Sequence, residues 1–254
     1  MKVVIIGGVA GGATAAARIR RLDETAEIIV FERSGFISYA NCGLPYYIGG
    51  AIEDENELTL QTPESFYSRF RVDMRVHHEV TAIHPESKTV TVNNLENGTV
   101  FIESYDKLIL SPGAKPIKPN FEGADSDKIF TLRTVEDTLK IKKYTDEQNS
   151  KTAVIVGGGF IGIEVAENLC KLGMDVILVE AAEQLMSPFD SDMAAFIHAE
   201  IRKNGIQLML SSMVEGFTEN DGGIDVKLKN SPALHADIVI MLSLIHISEP
   251  TRPY

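Results

Sequence analysis

The sequence has few cysteines and no long apolar run, and each shortage excludes a class of protein. Cys42 and Cys170 are the only two cysteines in 254 residues, so neither a disulfide framework nor a metal site built on clustered cysteines is expected. A reducing compartment suits such a chain and leaves room for a redox-active thiol. No apolar stretch reaches the roughly 20 residues that a membrane-spanning helix needs.

Basic residues are also scarce relative to acidic ones. The chain holds 24 Lys and Arg against 36 Asp and Glu, a net charge of −12, which argues against nucleic acid as a partner. It begins Met1-Lys2 and enters an apolar strand at once, without the pattern of a signal peptide. We therefore expect a cytoplasmic protein that acts on small molecules and binds no membrane.

One pattern occurs twice along the chain, in residues 3–32 and 153–180. Each copy runs from an apolar strand through a glycine-rich turn and a helix to a second strand that ends in an acidic residue, Glu32 or Glu180. This is the pattern of a βαβ unit that opens a doubly wound α/β domain. Two copies with correct flanks are much stronger evidence than one glycine motif alone.

The first glycine turn, from Gly7 to Gly12, departs from the usual glycine spacing at Val9. Gly7 makes the tight turn and Gly12 lets helix and strand approach closely, while the small residues between them leave room for a pyrophosphate at the helix N-terminus. Glu32 follows Gly12 by 20 residues and suits ribose hydroxyls. The alternative is a glycine turn that serves packing only, but an acidic residue at this distance favours nucleotide binding.

The second turn matches the usual spacing, with Gly157, Gly159 and Gly162. Glu180 lies 18 residues after Gly162 and is followed by two alanines rather than an arginine. A carboxylate there repels the additional phosphate of NADPH, so the pattern favours NADH. Two dinucleotide sites in one chain indicate a hydride passed between an FAD and a nicotinamide.

The stretch 72–110 alternates apolar and polar residues between turn formers and is predicted to be a small antiparallel meander that ends in an apolar strand. The fold class is therefore α/β, with two doubly wound Rossmann-type domains, the first carrying this meander. The predicted boundaries are 1–114 for the FAD-binding domain, 115–150 for a connector that contains a helix, and 151–241 for the NAD(P)H-binding domain.

Cys42 precedes a glycine, Pro45 and an apolar run, which predicts that its thiol lies at the start of a helix. A thiol in that position ionises more readily, and beside a flavin it can be oxidised and reduced again. The alternative is a buried, inert cysteine. The polar neighbours Ser38 and Asn41 favour the redox role. Cys170, on the helix of the second unit, is expected to pack in the core.

Together these motifs resemble the flavoprotein pyridine nucleotide-disulfide oxidoreductases, and residues 38–47 are most similar to coenzyme A-disulfide reductases. In that family a single cysteine in the context S-[FY]-A-N-C-G-L-P-Y forms a mixed disulfide with coenzyme A. The resemblance extends from residue 1 to about residue 240. It implies FAD as cofactor, NADH or NADPH as co-substrate, and an NAD(P)H-dependent flavoprotein disulfide reductase with Cys42 as the catalytic residue.

The resemblance also implies roles for individual positions. The residues expected at the FAD are Gly7, Val9, Ala10, Gly11, Gly12, Glu32, Arg33, Asn41, Val80, Ser111, Pro112 and Gly113. Those expected at the nicotinamide nucleotide are Gly157, Gly159, Phe160, Ile161, Gly162, Glu164 and Glu180. Those expected at coenzyme A are Thr14, Arg18, Arg21, Ser38 and Asn41, of which the first three share one face of a helix. For Arg20 a structural role at the helix end is expected instead.

At two positions this sequence departs from the pattern of related families, and each departure indicates which subfamily it resembles. Tyr47 stands where the two-cysteine members carry their second cysteine, so no internal disulfide can form. Ala10 stands where the related NADH peroxidases and oxidases carry a histidine, which makes peroxide chemistry less favourable. The alternatives are a persulfide or polysulfide reductase or an NADH oxidase using the same thiol, or a non-catalytic nucleotide-binding module in which Cys42 senses oxidants. A fused rhodanese domain, which some related proteins carry, is not decided by these residues.

Members of the family continue with a second FAD-binding motif and a dimerisation domain, and neither can be placed in this sequence. The resemblance therefore implies a homodimer for the full-length form. It also implies a truncated chain that holds FAD weakly and is inactive alone. Residues 242–254 show no pattern that continues the second domain and are predicted to be a non-native tail.

Overall fold

The computed structural model describes residues 1–116, 120–220, 222–242 and 245–247. Within them the chain divides into two compact units. The first comprises Met1–Asn41 and Glu55–Gly113, and the second comprises Cys42–Asp54 and Ala114–Ile247. Among the helices of the described ranges, none has the length and apolar character required to cross a membrane.

Six α-helices are present in the described residues: α1 (Ala10–Leu22), α2 (Leu44–Ile48), α3 (Pro63–Phe70), α4 (Val135–Gln148), α5 (Phe160–Lys171) and α6 (Ser191–Lys203). The strands are β1 (Lys2–Ile6), β2 (Glu27–Phe31), β3 (Asp73–Arg75), β4 (His78–His84), β5 (Thr89–Asn94), β6 (Val100–Ser104), β7 (Lys107–Leu110), β8 (Ala114–Pro116), β9 (Ile129–Phe130), β10 (Thr152–Val156), β11 (Asp175–Val179), β12 (Gln207–Met209), β13 (Val214–Asn220), β14 (Gly223–Leu228), β15 (Ser231–Ala236), β16 (Ile238–Met241) and β17 (Ile245–Ile247). Two short 3-10 turns, Asn41–Gly43 and Glu55–Leu58, lie between them.

The first unit is built on a four-stranded parallel sheet in the order β3-β2-β1-β7. Alternate residues of β1 point to opposite faces of this sheet. Val3 and Ile5 pack with the buried alanines of α1 and with Phe66 of α3, whereas Val4 packs with Val90 of the meander. The alanines allow α1 to lie close to the sheet, which brings its N-terminus to the carboxyl end of β1.

The meander is shorter than the sequence pattern indicates. Strands β4, β5 and β6 form the antiparallel sheet, covering 78–104. The flanking strands β3 and β7 join the parallel sheet instead, beside β2 and β1. The prediction of one meander from 72 to 110 is therefore wrong at both ends, because strands of three and four residues carry no sign of which sheet they will enter.

The second unit repeats the plan with five parallel strands in the order β12-β11-β10-β16-β9. Val154 and Val156 of β10 pack on one face against Phe217 and other residues of the antiparallel sheet β13-β14-β15. Ile155 points to the opposite face, where α5 lies. The mixed α/β architecture with two Rossmann-type sheets confirms the expected fold class.

The structure bears on the predicted boundaries at three places. The connector, 115–150, contains β9 and α4, and β9 forms the edge of the second sheet. Residues Cys42–Asp54 group with the second unit although they follow the first βαβ unit. Most of the predicted tail, 242–254, lies outside the described residues, and within it β17 pairs antiparallel with β8.

Candidate functional site

Both glycine turns bring backbone so close to backbone that no side chain fits. A Cβ on Gly12 would lie 1.8 Å from the carbonyl oxygen of Gly7, and a Cβ on Gly162 would lie 1.9 Å from that of Gly157. Gly7 has φ +98°, and its Cβ would lie 2.0 Å from the carbonyl oxygen of Ser111. Glycine is thus required where helix, first strand and neighbouring strand converge.

The two helices that follow these turns begin without a capping side chain. Neither Val9, before α1, nor Gly159, before α5, supplies a side-chain hydrogen bond, and neither helix has an acidic residue in its first turn. In contrast, α3 and α4 begin with capping boxes formed by Thr62 and Thr134. An uncapped, uncharged helix start presents its free N–H groups to an anion, which fits the pyrophosphate of a dinucleotide.

An acidic side chain lies against each turn. Glu32 Oε2 accepts a hydrogen bond from the N–H of Gly8 at 2.7 Å, and Oε1 accepts from the N–H of Ser34 at 2.9 Å. Glu180 does the same with Gly158 at 2.6 Å and with Ala182 at 2.8 Å. Each carboxylate is half-buried and held in one orientation, and its remaining lone pairs suit ribose hydroxyls.

Other residues predicted for the FAD have varied surroundings within the first unit. Ser111 lies beside the turn, since a Cβ on Gly11 would lie 3.1 Å from its hydroxyl oxygen. Arg33 is exposed and forms an ion pair with Glu79 at 3.6 Å. Four further candidates are placed as follows: Val80 packs against the core shared with the meander, Ala10 lies at the start of α1, and Pro112 and Gly113 form an exposed turn after β7.

The second turn opens onto a cavity of about 240 Å³. It is lined by Gly158, Gly159, Phe160, Glu180, Gln184, Met186, Ser187 and Pro188. A Cβ on Gly159 would meet no atom within 4 Å, so this glycine faces the open space that a pyrophosphate needs. The ring of Phe160 is largely exposed and lies 6.3 Å from that of Phe189.

Sequence reasoning missed the loop after β11. Leu185 is fully buried, and its side chain covers the space where Gly158 would carry a Cβ. Met186 has φ +52° and donates its N–H to the carbonyl of Gly158 at 3.0 Å. In the first unit Ser38, with φ +47°, donates in the same way to Gly8. The internal repeat could have revealed this correspondence, because both residues lie six positions after the acidic residue.

Two further candidates lie on α5. Ile161 and Glu164 are half-buried in its first turn and a half, and the carbonyl of Glu164 accepts a hydrogen bond from Asn168. Asn168 is itself buried, and its side chain lies where a Cβ on Gly49 would be, 2.3 Å from the amide oxygen. The segment that carries Cys42 therefore packs closely on the helix of the second glycine turn.

Cys42 is exposed, with a free thiol. It lies in the 3-10 turn Asn41–Gly43, and α2 follows with Pro45 in its first turn, so a helical segment does begin here. This helix has only five residues, too few for a strong dipole at its N-terminus. Cys170 is half-buried rather than in the core and donates its S–H to the carbonyl of Asn204 at 3.3 Å.

The arginines of α1 have two kinds of surroundings, since Arg20 is bound to backbone while Arg18 and Arg21 lie on the exposed face that they share with Thr14. Arg20 donates hydrogen bonds to the carbonyls of Phe70, Asp23, Glu24 and Arg71. Thr14, Arg18 and Arg21 are exposed, and neither of these two arginines forms an ion pair with any residue of the described ranges. Two cations on an open helix face suit the phosphates of an anionic ligand.

Two dinucleotide-type folds, each with a glycine turn, an uncapped helix and an acidic residue, define a protein that binds two nucleotide cofactors. The family model for pyridine nucleotide-disulphide oxidoreductases matches residues 1–243, and the chain belongs to this family. FAD and NAD(P)H are the cofactors of the family, whose members are flavoprotein oxidoreductases.

Individual relatives are more specific. The coenzyme A disulfide reductase of Staphylococcus aureus (strain JH9) is 39% identical over 239 residues, which are 94% of this chain and 53% of the relative. The crystal structure of reduced Bacillus anthracis CoADR-RHD matches with a TM-score of 0.93 and 46% identity, over 96% of this chain and 44% of that one. A NAD-dependent persulfide reductase from A. fulgidus matches with a TM-score of 0.91 and 33% identity, over 97% of this chain and 46% of that one. The chain thus spans about half the length of the curated relatives it matches.

Proposed function

We propose that this protein reduces coenzyme A disulfide with NADH, using FAD and the Cys42 thiol. The observation that carries the proposal is Cys42 itself, a free and exposed thiol whose neighbour five positions along the chain is Tyr47. A thiol of this kind, with no cysteine at position 47 for an internal disulfide, suits a mixed disulfide with a substrate thiol. The similarity to coenzyme A disulfide reductases, at 39% identity, supports that substrate.

We propose one thiol–disulfide exchange followed by a two-electron reduction. The Cys42 thiolate attacks one sulfur of coenzyme A disulfide, forming the Cys42–coenzyme A bond and releasing one coenzyme A thiolate. Two electrons and a proton, which NADH supplies and FAD when bound would relay, then cleave the mixed disulfide and release the second coenzyme A as thiol. The face of α1 that carries Thr14, Arg18 and Arg21 is proposed to bind coenzyme A, with the arginines at its phosphates and with Ser38 and Asn41 at its thiol end.

The nucleotide sites follow from the glycine turns. The first turn with Glu32 is proposed to hold the adenosine half of FAD, and the second with Glu180 to hold NADH. Glu180 supports NADH over NADPH because its carboxylate stands beside the turn, held by two N–H groups, where it would repel a phosphate on the ribose. Gly12 and Gly162 provide the close approach of helix to strand on which the shape of each turn depends.

The thiol exchange can be tested on this chain without turnover. After incubation with coenzyme A disulfide, intact-mass analysis should show one coenzyme A per chain, located on Cys42, and one equivalent of released thiol. Cys42→Ser should abolish the adduct and Cys170→Ser should retain it. In the full-length form, supplied with FAD and NADH without oxygen, the adduct should disappear as the second coenzyme A is released. An adduct that survives in Cys42→Ser would refute the assignment of the thiol.

A persulfide is the second candidate substrate, because the matching persulfide reductase is 33% identical to the chain. Oxidation of NADH by the full-length form should be compared between coenzyme A disulfide and a polysulfide without oxygen, and measured separately with oxygen as the acceptor. Activity with polysulfide alone would keep the role of Cys42 and replace the substrate. A homodimer of the full-length form belongs to the same proposal and is tested by light scattering of that form as it elutes from a sizing column.

A further inference from the structure

The second glycine turn is held in place by a loop rather than by the turn alone. Glu180 accepts the N–H of Gly158 at 2.6 Å, and Met186 donates its N–H to the carbonyl of the same residue at 3.0 Å. The side chain of Leu185 covers the Cα of Gly158, where a Cβ would lie 2.2 Å from Leu185 Cδ2. Residues 181–190 therefore form one wall of the nucleotide cavity and clamp the turn that the nucleotide would contact.

A histidine on α6 accepts a hydrogen bond from this loop and is not among the residues that line the cavity. His198 Nε2 accepts a hydrogen bond at 3.0 Å from the backbone N–H of Leu185, which is fully buried. Because Nε2 is an acceptor, the ring must be neutral with its proton on Nδ1. The hydrogen bond is lost when the ring is protonated, since Nε2 then carries a hydrogen directed at the N–H of Leu185.

The surroundings of His198 favour the neutral ring. Partial burial lowers the pKa of His198, and the positive charge of Arg202, one turn further along α6, lowers this pKa further. The loop carries Glu183 and Asp190, and within the described residues neither forms an ion pair with the ring. The strand β12, on which α6 packs, carries no charged residue, and the other acidic groups on α6 are Asp192 and Glu200.

We propose that His198 is a positioning residue for the nicotinamide nucleotide, holding loop 181–190 against Gly158 when neutral and releasing it when protonated. The inference rests on the proposed assignment of this cavity to NADH. It predicts that the affinity for NADH depends on pH through a residue that does not contact the nucleotide. Gln184 strengthens the same loop, since its amide donates to the carbonyl of Phe189 at 2.8 Å.

The test measures the dissociation constant of NADH, by the change in NADH fluorescence, for the full chain supplied with FAD, from about pH 8 to about pH 5. The parent protein should bind NADH more weakly as the pH falls. His198→Ala should bind about tenfold more weakly at the upper pH, because the buried N–H of Leu185 loses its acceptor. His198→Gln retains a neutral acceptor, so it should bind like the parent at the upper pH and show a flatter pH profile.

The matched control is His235→Gln. His235 lies on β15 of the same unit and pairs with Asp225 at 2.9 Å, away from the loop. Its removal should leave the pH profile of the parent unchanged. Hydrogen exchange of the Leu185 amide supplies a second readout that needs no nucleotide: it should accelerate in His198→Ala and remain slow in His198→Gln.

Unchanged NADH affinity in His198→Ala, or an equally steep pH profile in His198→Gln, would overturn the proposal, as would a parent chain that fails to bind NADH. The substrate is absent from these measurements. A full-length form that binds NADH as described but does not reduce coenzyme A disulfide would therefore end the proposed function and leave the role of His198 standing.

Discussion

The carboxylate of Glu32 accepts a hydrogen bond from the backbone N–H of Gly8 at 2.7 Å. Glu180 accepts a hydrogen bond from the N–H of Gly158 in the same way at 2.6 Å. Gly158 follows Gly8 by 150 positions, and Glu180 follows Glu32 by 148. In both units the carboxylate thus occupies the inner side of the glycine turn and fixes the peptide that follows its first glycine. Because the geometry is the same in both units, the effects of matching substitutions in the two turns can be compared directly.

Substitutions of two glycines in the second turn should distinguish an effect on packing from an effect on nucleotide binding. Gly162→Ala should destabilise the protein by about 1–3 kcal/mol or more, because its Cβ would lie 1.9 Å from the carbonyl oxygen of Gly157. Gly159→Ala should leave stability almost unchanged, since no atom lies within 4 Å of its Cβ and φ is −81°. It should nevertheless weaken NADH binding by filling the cavity. Thermal unfolding and NADH titration measure the two effects, and equal loss of stability in both variants would contradict the argument.

Nucleotide preference should depend on the charge of Glu180. In Glu180→Gln the side chain keeps an acceptor for Gly158 but no longer repels a phosphate, so the ratio of NADPH to NADH affinity should rise by about tenfold. The control is Glu183→Gln, an exposed carboxylate in the following loop. Titration with both nucleotides gives the ratio. A similar change in the two variants would assign the effect to net charge rather than to the position of Glu180.

The arginines of α1 should divide into a stabilising residue and two binding residues. Arg20→Ala should lower the melting temperature, since it removes four hydrogen bonds to backbone carbonyls. Two of these carbonyls directly follow α1 and the other two are at the end of α3. Arg18→Ala and Arg21→Ala should each leave the melting temperature unchanged and slow formation of the coenzyme A adduct at limiting disulfide concentration. An adduct that forms at the same rate in both variants would remove this face from the proposed substrate site.

Acid should weaken the second unit through Asp237. Burial raises the pKa of this carboxyl, but hydrogen bonds from the N–H groups of Lys151 and Thr152 and from the Thr152 hydroxyl outweigh it, so the pKa lies below its ordinary value. Because the folded state favours the ionised form, this stabilisation is complete above the ordinary Asp range and is lost as the pH falls through the lowered pKa.

Asp237→Asn should therefore lower the melting temperature near neutral pH and reduce its dependence on pH below about 4. Thermal unfolding followed by circular dichroism between about pH 3 and about pH 7 measures both effects. Asp175→Asn, at an exposed position at the start of β11, provides the control. An unchanged acid slope in Asp237→Asn would show that other carboxyls carry the pH dependence.

Much of the candidate site was predictable because its signals are local. The two glycine turns, Glu32 and Glu180 follow from spacing within single βαβ units, and the structure places each acid beside its turn. The separation of Arg20 from Arg18 and Arg21 followed from helical spacing, because Arg20 lies off the face that the other two share. The loop that carries Leu185 has no comparable pattern, since its role depends on a glycine 27 positions earlier and a histidine on the next helix.

The sequence by itself determined the two parallel sheets. In each unit an apolar strand, a glycine turn, a helix and a second strand follow one another, and this order produces parallel strands. Only the tertiary structure decided that Ile129–Phe130 completes the second sheet, that β3 and β7 leave the meander, and that Cys42–Asp54 groups with the second unit. Each of these depends on contacts between distant segments. The close fit of Gly49 against Asn168, 119 positions apart, is such a contact: neither residue carries a pattern that names its partner, and packing alone brings them together.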